Sequence, residues 1–356
     1  MLTEWLERKY SFWSSGRKGS PSLSPLKRND PYLELNMRKL AATIFLTVFI
    51  SVVGYAQSPP TLRIVTETPG LPSELFYGDI KVKPLRLRPG TNTVITINDF
   101  DFFVSQQYID FLKRFPEPAG LQFYIDTLNP DTKCAPTDTE CRKVLRGIVA
   151  ANFFRSPEFQ RKGSYVMYLY MISIGQRPVT VAELSDTSKV DRPHYTEFMS
   201  DLAAISTPND DPALTEQKKN DLANAWMLRA EIQAKYGALS NAQFVQALLD
   251  TAGVTNPNQT QLVADLNAAT KTRAQVLRII AESTQVSDKY YKQAFVTMEY
   301  FGFLRRDPED CHNSPDPAQC GYIFHNARFN LGFDPSDIEN VIVRGFMESP
   351  EYLNRF

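Results

Sequence analysis

The chain has 356 residues, 43% of them hydrophobic and 22% charged, with a formal net charge of −1 at pH 7. That apolar content supports one large or two moderate cores and excludes disorder as the default. The near-neutral balance gives no global electrostatic reason to expect nucleic acid or an anionic membrane surface as partner.

Residues 1–36, which include "SFWSSGRKGSPSLSPLKRND", are rich in Ser, Pro and Lys/Arg and lack apolar periodicity. They read as a mis-assigned extension upstream of a true start at Met37, or, if translated, as a disordered tail. From Met37 come two basic residues, Arg38 and Lys39, then an apolar run and a small-residue exit at Gly54 and Ala56. That succession predicts a signal peptide over 37–56, a mature chain starting at Gln57, and a membrane involved only in export. The predicted location is secreted or cell envelope, outside the cytoplasmic membrane. The cysteines agree with export: Cys134 and Cys141 share one loop, and Cys311 and Cys320 share another. Three pairings are possible, and proximity favours the two local disulfides.

Residues 57–99 hold the β-prone runs "TLRIV" and "TNTVITIN", separated by turns at Pro69, Gly70, Pro89 and Gly90. A small β-rich lead-in is predicted there, too short for a full sandwich.

From Phe100 the period becomes helical: Phe100, Val104, Tyr108, Phe111 and Phe115 form one stripe, which Asp99 or Asp101 can cap. The stretch "FVSQQYIDFLKRFP" (103–116) returns as "FVTMEYFGFLRRDP" (295–308), both fitting F-V-x3-Y-x3-L-x-R-x-P, and looser versions open at Tyr165 and Phe244. A closing phrase also recurs, as "FFRSPEF" around Ser156 and "FMESPEY" around Ser349, with degraded forms around Arg229 and Ser283. In each, an apolar residue lies three positions before the cap-like residue and another lies three after it. Ser is a good N-cap, Pro at the first helical position loses no needed N–H, and Glu suits the positive end of the helix dipole. The phrase therefore predicts the start of a short helix at a sharp corner. The expected fold is mainly α, with tandem short-helix units over 100–163, 164–239, 240–290 and 291–356, preceded by the small β segment.

These residues resemble the bacterial family catalogued as domain of unknown function 4214. Its hallmark is the opening phrase followed by an acidic residue, Gly-Leu-x-aromatic and a later Ser-x-Glu-Phe. The first unit matches through Pro116, Glu117, Gly120, Leu121 and Tyr124, and the resemblance covers residues 101–356. The fourth unit departs from it, offering only "CGYIF" in place of the Gly-Leu-x-aromatic element. The resemblance implies an exported, C-terminal helical region, often placed after Calx-beta-like modules, and implies no established reaction.

Signatures of chemistry are sparse. The chain has three histidines, and no Gly-x-Ser-x-Gly elbow, P-loop or His-Glu-x-x-His occurs. Cys311, His312, Cys320 and His325 could offer ligands to zinc, but an exported chain would sooner oxidise the thiols. Asp307, Glu309, Asp310, Asn313 and Asp316 are donors of the kind calcium takes, although the prolines and irregular spacing favour a solvated loop. The aromatic residues Tyr165, Tyr168, Tyr170, Tyr290, Tyr291, Phe301 and Phe303 sit at helical spacing and read as core. No catalytic, cofactor or metal residue is assigned.

Two functional readings stand side by side. One is a secreted or cell-envelope, non-enzymatic module that binds an extracellular protein or surface component. The other is an unrecognised extracellular enzyme, such as a polysaccharide-acting hydrolase.

Arg114 and Arg306 occupy the same place in the opening phrase, as Glu158 and Glu351 do in the closing one. Either each arginine clasps its glutamate, or each guanidinium holds backbone carbonyls at a helix C-terminus.

Overall fold

A computed structural model describes residues 62–65, 74–77, 80–82, 95–135, 137–331 and 334–356. The extension at 1–36 and the signal segment at 37–56 lie outside the described residues. Contacts divide the chain after Leu62, and the body formed by Arg63–Phe356 holds all the described helices. Within 57–99, three short strands are described, β1 (Leu62–Val65), β2 (Glu74–Tyr77) and β3 (Ile80–Val82), and Phe76 faces Lys81 in the antiparallel β2–β3 pair.

The rest is mainly helical. In chain order come α1 (Phe100–Gln107), α2 (Pro118–Leu128), α3 (Pro130–Lys133), α4 (Thr139–Arg155), α5 (Pro157–Ser173), α6 (Tyr195–Ile205), α7 (Pro212–Met227) and α8 (Ala230–Tyr236). They are followed by α9 (Asn241–Ala252), α10 (Gln259–Asn267), α11 (Arg273–Ala281), α12 (Thr284–Glu299), α13 (Gly321–Arg328), α14 (Pro335–Met347) and α15 (Pro350–Leu353). None of the described helices is long and apolar enough to cross a membrane.

The two strong opening phrases take one course. α1 runs into a π turn, Tyr108–Leu112, that ends on Lys113 at φ 56°, and α12 runs into a π turn, Tyr300–Leu304, that ends on Arg305 at φ 55°. A π turn widens the helix by one residue, and the left-handed residue after it turns the chain sharply. The following arginine is thereby thrown back across the turn.

The spacing of the closing phrase has a direct cause. The Ser156 hydroxyl donates to the Phe153 carbonyl (2.7 Å) and accepts from the Phe159 N–H (3.1 Å). Ser349 repeats this with Phe346 (2.7 Å) and Tyr352 (3.1 Å). One hydroxyl thus joins the end of one helix to the start of the next, three residues away on either side.

The helix begun at Pro157 is not short. It extends over 17 residues as α5, through residue 163 and into the next opening phrase. No proline occurs between Pro157 and Pro178, so nothing interrupts the helical register. Likewise α12 crosses residue 290, whereas α15 has only 4 residues.

Helix pairing is long-range. α4 packs on α14, α7 on α11 and α5 on α9, while the two π turns touch one another. Segments from the first and last quarters of the helical region therefore meet, unlike an open solenoid in which only neighbours touch. Paired aromatic contacts line the seams: Tyr108 meets Phe153 edge-on with centroids 4.9 Å apart, and Tyr300 meets Phe346 at 4.8 Å. Phe111 and Phe303, one from each π turn, meet at 5.5 Å.

Candidate functional site

Each π turn delivers an arginine to a closing glutamate. Arg114 Nε and Nη2 donate to the two Glu158 oxygens at 2.8 and 2.6 Å, and Arg306 Nε and Nη2 do the same to Glu351 at 2.6 and 3.0 Å. Nη1 of each also donates to a backbone carbonyl, that of Phe115 at 3.1 Å or Asp307 at 2.9 Å. The glutamate and carbonyl roles are thus filled together. Arg114 further binds Glu117 and lies over the Tyr108 ring; Arg306 binds Glu309 and lies over Tyr300.

The environments differ. The Arg114 and Glu158 side chains are 6% and 9% exposed, against 36% and 47% for Arg306 and Glu351. Beneath the first pair, the fully buried Lys162 donates to Glu158 at 2.8 Å and to Thr207 at 3.3 Å, and it pairs with Asp210 at 2.9 Å. Its chain of alternating charge continues to Arg161 on Asp210 (2.6 Å). In Glu351, the arginine holds the carboxyl below its usual range.

The π turns are themselves joined by Asp110, a buried residue the sequence did not single out. It accepts from Arg305 Nη2 at 2.7 Å and from Arg355 Nη2 at 2.8 Å. Arg355 also donates to the Gly302 and Phe303 carbonyls, at 3.0 and 2.5 Å, so one guanidinium ties the two turns together.

Both local disulfides are present. Cys134–Cys141 ties the end of α3 to the first turn of α4, and Cys311–Cys320 closes the loop before α13, with Cα separations of 5.7 and 5.6 Å. Both Cys311 and Cys320 are consumed, which removes the four-ligand zinc set. His325 is also inward, packed beside Phe346, and burial pushes its imidazole down to about 4.

The oxygen donors of the 307–316 loop are engaged within the protein. Asp307 accepts from His194 Nδ1 (2.8 Å) and the Tyr195 N–H (2.5 Å), closing the N-terminus of α6. Glu309 serves Arg306, and Asp310 accepts from the His312 N–H and from Asn313. What does gather here is Asp191, from the segment before α6, with Asp310 and His312.

A buried acidic pair is contributed by α12 and α14. Glu299 and Glu339 are 1% and 2% exposed. Arg155 from α4 binds Glu339. Burial, reinforced by the charge of Glu339, pushes the Glu299 carboxyl well above its usual value.

In one open cleft the carboxylates are held by arginines. A cleft of about 530 Å³ is lined by Glu197, Asp201 and Glu231. Arg192 binds Glu197 at 2.7 Å and Glu231 at 3.3 Å, and Arg229 binds Asp201 at 2.6 Å. A second cleft, of about 440 Å³, is lined by Lys189, Lys289, Lys292 and the amides Gln176, Gln293 and Asn326. The aromatic residues singled out in the sequence lie in the core, apart from the half-buried Tyr291. No protein-family model matches this chain, and no curated protein or solved structure matches it either.

Proposed function

We propose that the chain is an exported, non-enzymatic helical module of the cell envelope or extracellular space, built from four related units in the manner of the family of unknown function it resembles. Its work would be to present a rigid surface to a protein or surface component. The observation that carries this reading is the state of the carboxylates. A glycosidase needs one carboxyl free to donate a proton and another free to attack or activate water. In the 530 Å³ cleft the three carboxylates are each locked to a guanidinium. Glu299 is 1% exposed, out of reach of a substrate. The two disulfides fit an oxidising compartment.

Two experiments test the proposal. Mass spectrometry of native material should find a chain starting at or near Gln57, and peptides from residues 1–30 in the mature protein would overturn export. Cross-linking in the native envelope fraction should give one saturable partner, lost on competition with unlabelled protein. Turnover of an extracellular polysaccharide, abolished by Glu231→Gln or Asp201→Asn, would instead establish the hydrolase.

A further inference from the structure

We propose that Asp191, Asp310 and His312 form a binding site for a divalent transition-metal ion, bridging the segment before α6 and the disulfide-closed loop before α13. The proposal is independent of the partner-binding reading above. One donor atom from each of the three lies within 4.8 Å of the others. His312 Nδ1 is 3.1 Å from Asp310 Oδ1 and 4.0 Å from Asp191 Oδ2. Two donors bound to one tetrahedral zinc, each ~2.1 Å from it, stand ~3.4 Å apart, so these separations bracket what a metal requires.

The local charge supports the same conclusion. Asp191, Asp307 and Asp310 crowd together, and the guanidinium among them is that of Arg177, 3.3 Å from Asp191 and 4.0 Å from Asp307. Among the described residues, no lysine or arginine pairs with Asp310. The three carboxylates and one guanidinium carry a surplus of negative charge that a dication would balance.

The donor chemistry narrows the choice of ion. One imidazole nitrogen with two carboxylate oxygens suits zinc, cobalt or nickel, whereas calcium takes oxygen alone. All three residues are exposed, so water can complete the coordination. The Cys311–Cys320 bridge closes the loop, and the Tyr195 N–H bond to Asp307 (2.5 Å) holds its base against the segment that carries Asp191 before any ion arrives.

The test is calorimetric titration of zinc chloride into the untagged full chain with its disulfides intact, alongside cobalt(II) titration followed by visible absorption. The expected result is one ion per chain, with affinity reduced at least ~10-fold in both His312→Gln and Asp191→Asn and unchanged in His194→Ala. Zinc should also raise the melting temperature of the parent protein and of His194→Ala, but not that of His312→Gln. Far-ultraviolet circular dichroism and metal-free melting show that each variant is folded. Absence of binding by the parent protein, or equal affinity in His312→Gln, overturns the site and leaves His312 as a simple hydrogen-bond partner of Asp310.

Discussion

Arg114 and Glu158, 44 residues apart, form a two-pronged ion pair at 2.8 and 2.6 Å that is almost sealed from solvent. Arg306 and Glu351 form the same pair in the open. One sequence phrase has produced one geometry in two dielectric environments, and the energetics should follow the environment. Arg114→Met should cost about 3 kcal/mol, because it removes two charge-assisted bonds from the buried Glu158 and leaves it with Lys162 alone, whereas Arg306→Met should cost at most ~1 kcal/mol. Urea denaturation of the two variants checks this, and equal losses would show that burial is not the deciding factor.

Glu299 and Gln107 hold the same position, immediately before the tyrosine of each π turn, and both are buried. The folded state raises the Glu299 pKa above its ordinary value of 4.5, chiefly by burial. Its contribution to stability is therefore fully present below about that ordinary value and is lost as pH rises towards the folded value. Glu299→Gln keeps the shape and removes the titration. It should stabilise the protein at pH 7 by on the order of 1–3 kcal/mol, with the advantage over the parent shrinking towards pH 4. Thermal melts across that range decide the matter, and a pH-independent difference would contradict it.

Gly302 lies where the π turns touch. A Cβ there would come within 2.6 Å of the Phe111 ring, which is itself wedged against Phe303 and Phe159. Gly302→Ala should cost roughly 1–3 kcal/mol through overpacking. Phe111→Leu in the same chain should recover part of that loss, giving a non-additive double-mutant cycle by urea denaturation.

Asp110→Asn should uncouple the turns. Arg305 and Arg355 would keep a neutral hydrogen-bond acceptor but lose the charge between them. A loss of about 2–3 kcal/mol is expected. Chemical denaturation measures it, and a loss confined to high salt would contradict the electrostatic origin.

Replacing Cys134 and Cys141 together with serine opens a short loop and should cost about 2–3 kcal/mol on the chain-entropy estimate, as should replacing Cys311 and Cys320. Unfolding transitions of the two double variants test this. If the Cys311–Cys320 variant also loses zinc affinity, the bridge contributes to holding Asp310 and His312 near Asp191.

The mainly helical character was legible because a stripe at helical spacing is a local property of the chain, as Phe100, Val104, Tyr108 and Phe111 illustrate; Phe115, read as the end of that stripe, lies beyond the left-handed Lys113 and is exposed. The Ser156 corner was legible for the same reason: a hydroxyl that reaches three residues in each direction leaves its spacing in the sequence. The repeated positions of Arg114, Glu158, Arg306 and Glu351 could be read by comparing one stretch of the chain with another. The length of α5 was not legible, since a start signal does not say where a helix stops.

Tertiary structure alone decided which ion pair is buried, because burial depends on what lies above and below it, and Lys162 with Asp210 backs only the first. It alone joined Asp110 to Arg305 and Arg355, and Asp191 to His312, across more than a hundred residues. Neither alliance has a periodic or self-similar trace in the chain. The first arises because the π turns meet each other and the second because two distant loops are brought together, and such meetings are set by the shapes of packed surfaces rather than by neighbouring residues.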